Sequence, residues 1–199
     1  MRNRFLLMLL PILMLFASAC SQNGRLYRSA QKHYSRANFD AAVRDASRSL
    51  RLKPDNAKAQ ELIVQAWEQS IKYHEENVNI LMQSSDSNKW ELILQEYTTL
   101  QELSRNIQSL PPLVNPATGY RIMLSAPDVT QKINESKSNA AEAYYQAGIR
   151  FSKMSNSMDI QKKAALEFAA ALKLIPDYKD AYLKFEQSRN LAVKRIAVV

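Results

Sequence analysis

Cysteine, glycine and histidine are scarce in this chain: its 199 residues hold one cysteine, three glycines and two histidines. A lone cysteine has no disulfide partner within the chain. There is no glycine-rich phosphate loop and no G-x-S-x-G nucleophile turn, and no segment alternates apolar and polar residues long enough to demand a sheet. His33 and His74 lack metal-ligand spacing, and the H-E-E run at 74–76 is not H-E-x-x-H; both are expected to lie partly exposed on helices. Glu75, Glu76, Glu91, Glu96 and Glu102 are scattered over helical faces, where solvation is the default. Beyond Phe16 no stretch is apolar enough to span a membrane. The residue inventory thus offers no catalytic, metal or cofactor site, and no small-molecule substrate is expected.

What is present suits helices. The chain is 46% apolar and 23% charged, as globular proteins are, and it is rich in Ala, Leu, Lys, Gln and Ser. We expect an all-α fold with short turns.

The N-terminus is set apart from that fold. Arg2 and Arg4 precede an apolar run from Phe5 to Phe16 and then small residues, the pattern of a secretory signal over residues 1–19. The run spans about 12 residues against the ~20 a membrane-crossing helix needs, and Pro11 interrupts it. Ala17-Ser18-Ala19 satisfies the A-x-A rule, and an ordinary cut there would release a soluble secreted or periplasmic binding protein with a free thiol. The same junction resembles a bacterial lipobox, in which small residues precede an obligatory cysteine, although Ala17 stands where that family prefers Leu. A single cysteine placed at +1 of a signal cut favours the lipobox reading. That resemblance implies lipidation of Cys20, with residues 20–24 as a short tether. Each buried acyl CH₂ adds roughly 0.8 kcal/mol of anchoring. Ser21 stands where an inner-membrane-retained enterobacterial lipoprotein usually carries Asp, so the resemblance implies the outer membrane, facing the periplasm.

An internal repeat organises the rest of the chain. "SLRLKPDNAKA" at 49–59 lies over "ALKLIPDYKDA" at 171–181, matching Pro54 to Pro176 and Ala59 to Ala181. Upstream of the second proline stand Tyr144, Ala147, Gly148 and Phe151, then Ala164 and Phe168; the first copy supplies Leu26, Ala30, Phe39, Ala42, Leu50 and Leu52 in phase. This order of large, small, aromatic, small, aromatic and proline resembles a tetratricopeptide (TPR) repeat. In such a unit two antiparallel helices approach closely where Ala30, Ala42, Gly148 and Ala164 leave room, Pro54 and Pro176 stop the second helix, and neighbouring units must stack to bury the apolar face. The resemblance implies a TPR-like α-solenoid of antiparallel hairpins over residues 25–195, with repeats at about 25–56 and 141–178.

The middle, 57–140, is irregular, because the matched prolines lie 122 residues apart (176 − 54), not a whole multiple of the ~34-residue period. Ile63, Trp67, Ile71, Val78 and Leu81 recur at helical spacing and predict one long helix over 57–83. "SSDSN" at 84–88 turns the chain into a partner helix from Lys89 to about Leu110, completing an elongated central hairpin. The segment 110–127 holds four of the seven prolines and cannot be a regular helix, so it is expected to be a loop. Ser125 is placed to cap a helix over about 128–153. Gly148 to Ala164 spans four residues more than Ala30 to Ala42, and "MSNSMD" at 154–159 is expected to take them up as a longer turn. A C-terminal capping helix is expected over about 178–194. Residues 196–199 read either as a frayed helix end or as the start of a truncated strand. The latter step is similar to one with which lipoproteins of the curli-channel and peptidoglycan-synthase-activator type open a further domain, which would make this chain the N-terminal module of a larger regulator of export or peptidoglycan synthesis.

The basic excess lies near the anchor. Arg25, Arg28, Lys32, Arg36, Arg44, Arg48, Arg51, Lys53 and Lys58 meet only Asp40, Asp45 and Asp55 between 25 and 58. Arg25, Arg28, Lys32 and Arg36 recur at three- or four-residue steps as one helical stripe, suited to a solvated face, an anionic lipid surface or an acidic partner. Nucleic acid is not expected for an exported chain. TPR families bind a peptide or helix along a concave face, which implies contacts on helices 25–36, 57–83 and 128–153 and a non-enzymatic scaffold serving protein partners of an envelope complex. The apolar loop residues Tyr120, Ile122, Met123 and Leu124 are the candidate docking element, or else fold back to cover a groove. Replacing Cys20 with Ala is expected to abolish radioactive palmitate labelling and to move the protein from membrane to soluble or precursor form; unchanged labelling would refute the lipobox assignment.

Overall fold

A computed structural model describes residues 22–193. The chain is mostly helical: α1 (22–34), α2 (Phe39–Leu52), α3 (Ala57–Gln83), α4 (Lys89–Gln108), α5 (Thr130–Met154), α6 (Met158–Leu174) and α7 (Ala181–Ala192). It divides into two compact units, one comprising the residues up to Glu75 with Thr99–Asp128, the other Glu76–Thr98 with the residues from Val129 onward.

In the first unit α2 buries Ala42, Val43, Ala46 and Leu50, a stripe at helical spacing, while α3 contributes Ala59, Ile63, Ala66 and Trp67 and α4 contributes Leu100, Leu103 and Ile107. Each large apolar side chain so buried contributes roughly 1.5–3 kcal/mol. Asn38 caps α2, its side chain accepting from the Ala41 amide, with Asp40 in the first turn where the helix dipole favours an acid. Residues 22–24, expected to be tether, already belong to α1. Asn23 is buried there; its Nδ2 donates to the Ser49 carbonyl at 2.9 Å, and Asn56 Nδ2 donates to its Oδ1 at 3.1 Å.

The 110–127 segment is more ordered than a plain loop. Leu113–Val114 (β1) and Arg121–Ile122 (β2) pair antiparallel, Leu113 opposite Ile122 and Val114 opposite Arg121. Asn115 shapes the connection by accepting from the amides of Ala117 and Thr118, and Gly119 takes the left-handed conformation (φ +72°) that closes it. Gln60 Nε2 donates to the Val114 carbonyl at 3.0 Å and Trp67 Nε1 to the Ser125 carbonyl at 2.7 Å, fixing both ends of the segment to α3.

In the second unit α6 packs against both α5 and α7. Its core centres on Ala164, Phe168 and Ala181, with Tyr145, Ile149, Phe151, Leu172 and Phe185 around them. Gly148 lets α5 meet α6: a Cβ there would lie 2.7–2.9 Å from three atoms of the Phe168 ring. The turn into α7 holds Asp177 and Lys179 at positive φ, 59° and 48°, which costs a non-glycine residue about 1 kcal/mol or more each. A polar cluster pins it. Glu142 accepts from Tyr178 Oη and Lys179 Nζ, Asp180 accepts from Tyr145 Oη, and the Lys179 ammonium lies 5.0 Å from the centre of the Tyr145 ring. The hydrogen bonds from Lys179, Tyr178 and Gln146 hold the Glu142 carboxyl down at about 2.

The residue before each matched proline leaves the helical region, Lys53 at φ −146°, ψ 87° and Ile175 at φ −132°, ψ 106°, so α2 and α6 stop where the prolines predict. Other boundaries differ from expectation for identifiable reasons. α7 begins at Ala181, since the left-handed Lys179 forbids an earlier start. Ser125 does not cap α5: its carbonyl is taken by Trp67, and Val129 occupies the cap position without a side-chain bond. The extra residues before Ala164 do not lengthen the turn, which is only 155–157; four residues are about one helical turn, and α5 and α6 absorb them as helix.

Gly148→Ala gains roughly 1 kcal/mol in helix propensity but forces overpacking costing about 1–3 kcal/mol. A lowered urea midpoint, by about 1 kcal/mol of stability, is therefore expected; a midpoint unchanged or raised would remove the close approach from the account of this core.

Candidate functional site

Cys20 and the tail 196–199 lie outside the described residues. Arg25, Arg28 and Lys32 are exposed on α1, and Arg36 is exposed in the turn that follows it, so the stripe runs past the end of its helix. Three of the other basic residues serve the fold. Arg44 Nε donates to Glu102 at 3.3 Å, Arg48 pairs with Asp45 at 3.7 Å, and Arg51 reaches Asn106 and, at 2.7 Å, the Ser109 hydroxyl. Such exposed pairs contribute little each. Lys53 and Lys58 are exposed as well, so the stripe is one part of a basic segment that presents charge to solvent.

The hairpin separates the four loop residues. Tyr120 and Met123 are 78% and 77% exposed, whereas Ile122 and Leu124 are half-buried. Beside β1 and β2 runs a shallow cleft of about 180 Å³ lined by Ile107, Leu110, Leu113, Ile122, Met123 and Leu124. Tyr120 is therefore exposed at the tip of the hairpin, before β2, and Met123 just past β2 at its open end, with Arg121 exposed in the strand itself.

The small and aromatic positions of the repeat pattern behave as packing residues. Ala30, Ala42, Ala164 and Phe168 are fully buried, Gly148 is buried against Phe168, Tyr144 and Phe151 are half-buried, and Pro54 and Pro176 follow the ends of α2 and α6.

One polar cluster escapes sequence reasoning. His74 is buried rather than partly exposed, and its Nε2 lies 3.1 Å from Asp40 Oδ1, which also accepts from Ser70 Oγ at 2.8 Å. Ser70 and His74 stand four residues apart on one face of α3, a spacing visible in the sequence; what aims them at Asp40 on α2 is tertiary packing. Serine, aspartate and histidine meet here without forming a nucleophilic relay. Ser70 donates to the carboxylate and not to the imidazole, so the hydroxyl, carboxylate and imidazole do not stand in the serine–histidine–aspartate order of such a relay. The cluster instead fixes the register of α2 on α3. His33 is half-buried, 3.8 Å from Asp45. Among the described residues no group of three or more His, Cys, Asp or Glu is placed to hold a metal, and no helix is long and apolar enough to cross a membrane.

Burial works to raise the Asp40 carboxyl, but the hydrogen bonds from His74 and Ser70 outweigh it and hold it below the usual 3.8. A depressed folded-state value means stability that is present above the unfolded pKa and lost as pH falls through the folded one. Asp40→Asn is expected to cost about 1–2 kcal/mol at pH 7, the lower part of the range for bonds to charged groups because the carboxylate is 24% exposed. The gap between variant and parent should shrink as pH falls below about 3.8, measured by urea unfolding; a gap independent of pH would contradict the assignment.

No protein-family model and no curated protein matches the chain, so its function rests on its own residues.

Proposed function

We propose that this chain is a lipid-anchored, non-catalytic scaffold with TPR-like hairpin packing, which docks protein partners of an envelope complex from the periplasmic face of the outer membrane. The observation that carries the docking role is the hairpin: Tyr120 at its tip and Met123 just past β2 are more than three-quarters exposed, yet the segment bearing them is tied to α3 by Gln60 and Trp67. Large apolar side chains held out on a rigid support lose little conformational freedom when a partner covers them, which is what binding anchors need.

The repeat reading is supported by the close approach of α5 and α6 at Gly148 and by the burial of matched Ala59 and Ala181. Asn23 supports the membrane placement. It is bonded into the first unit three residues after Cys20, so a lipid on that cysteine would hold the unit within about 10 Å of its attachment point at ~3.5 Å per residue. The exposed charges of Arg25, Arg28 and Lys32 would then lie near the headgroups, worth ~1 kcal/mol each on an anionic surface.

The test is a photo-cross-linking amino acid at Tyr120 in intact cells, with the same amino acid at exposed Gln187 as the control. A discrete adduct with another envelope protein from position 120 alone is expected. No adduct, or the same diffuse adducts from both positions, would overturn the docking role.

A further inference from the structure

The second unit contains a groove of about 410 Å³ that neither the hairpin nor the anchor uses. Its volume is within the ~300–1,000 Å³ typical of ligand clefts. Trp90, Tyr144 and Phe151 give it aromatic walls, and Ala143 and Ala147, one turn apart on α5, keep its floor low. Although the chain carries a net charge of +8, the groove reverses that sign: Asp86, Glu91 and Glu167 line it against Lys89 and Arg150.

Two of these acids are incompletely compensated. Glu91 accepts the Tyr144 hydroxyl on one oxygen and has no hydrogen bond on the other among the described residues. Glu167 is half-buried with no hydrogen-bond donor among the described residues, and burial raises its carboxyl even though Arg150 acts to lower it. The aromatic walls favour the same sign of guest, because ring faces attract cations; Lys89 already places its ammonium 5.6 Å from the Trp90 ring.

We propose that this groove binds a basic side chain, lysine or arginine, presented on a peptide segment, with the cationic group against Glu167 and its methylene stem against Trp90, Tyr144 and Phe151. The size argues for a peptide over a free amine. A lysine or arginine side chain has about five to seven heavy atoms and fills roughly half of the groove at ~30 Å³ per water-sized volume, leaving space for a neighbouring residue. The site is separate from the hairpin and stands whether or not the docking role assigned to that hairpin holds.

The experiment follows the Trp90 indole N–H signal of the ¹⁵N-labelled full chain, assigned by its loss in Trp90→Phe, during titration with acetyl-Leu-Arg-Leu-amide. The citrulline and glutamate versions of the peptide, and arginine amide, serve as comparisons. The arginine peptide should shift the signal at the lowest concentration. Glu167→Gln should weaken it about fivefold, while Arg150→Gln, removing the competing cation, should strengthen it about twofold. These opposite responses separate a charge effect from damage to the groove. Equal binding of the citrulline peptide, preference for the glutamate peptide, or no response to Glu167→Gln would overturn the cationic site, and equal binding of arginine amide would overturn its assignment to a peptide.

Discussion

Helices interlock only where side chains shrink enough to let backbones approach, and the packing of this chain depends on that condition at a few points. Ala42 and Ala46 on α2, Ala59 and Ala66 on α3, and Gly148, Ala164 and Ala171 on α5 and α6 are all buried. Large residues then fill the spaces this creates: Trp67 and Leu50 in the first unit, Phe168 in the second. Gly148 shows the constraint at its sharpest, because even one methyl group there would enter the Phe168 ring. A helix interior ordinarily disfavours glycine by about 1 kcal/mol relative to alanine, so the residue is explained by its neighbour and not by its own helix.

This constraint determines which features are legible in the sequence. Small residues at fixed spacing, apolar residues at helical period and paired prolines are local signals, and they predict the long helix Ala57–Gln83 at both ends and the stops at Pro54 and Pro176. The errors share a different cause. Ser125 has the chemistry of a cap, yet Trp67, 58 positions earlier, takes its carbonyl and α5 starts without a side-chain cap. A helix is expected from about Tyr178, yet the left-handed turn around it is pinned by Glu142, 36 positions earlier. His74 reads as a surface residue because its partner, Asp40, is on another helix. Each of these three errors arises where a distant polar group acts on a position that local sequence reads differently.

Polar groups therefore complete a scaffold that apolar packing begins. Gln60 and Gln161 are both about 1% exposed, and both direct their amide donors to backbone carbonyls at or near the ends of elements: Gln60 to Pro54 and Val114, Gln161 to Ser152 and Ser155. Only the donor side of each amide is used: Gln60 Oε1 and Gln161 Oε1 are buried with no hydrogen-bond partner among the described residues, so the bonds to the carbonyls offset only part of the cost of burying these side chains. Gln161 joins the end of α5 to the start of α6, which explains how a helical insertion could be accommodated there with a three-residue turn. Gln60 does the same between the end of α2 and the hairpin, and so the hairpin inherits its position from a buried amide.

The charges follow a parallel division. Where basic and acidic residues from different elements meet, as at Arg44 of α2 with Glu102 of α4 or Lys179 of the turn before α7 with Glu142 of α5, they pair and serve the fold. Arg25, Arg28, Lys32 and Arg36 are exposed in the first unit, while Glu167 in the second is half-buried without a hydrogen-bond donor among the described residues. Exposed cations cost the fold nothing and act at the range of the ionic atmosphere, about 8–10 Å, as a surface field. A half-buried carboxylate carries a desolvation cost and acts only at contact distance. The two kinds of site would therefore respond differently to salt: raising ionic strength screens the first strongly and the second little, so a basic surface and an acidic groove on one chain can recognise partners of opposite charge without competing for the same interaction.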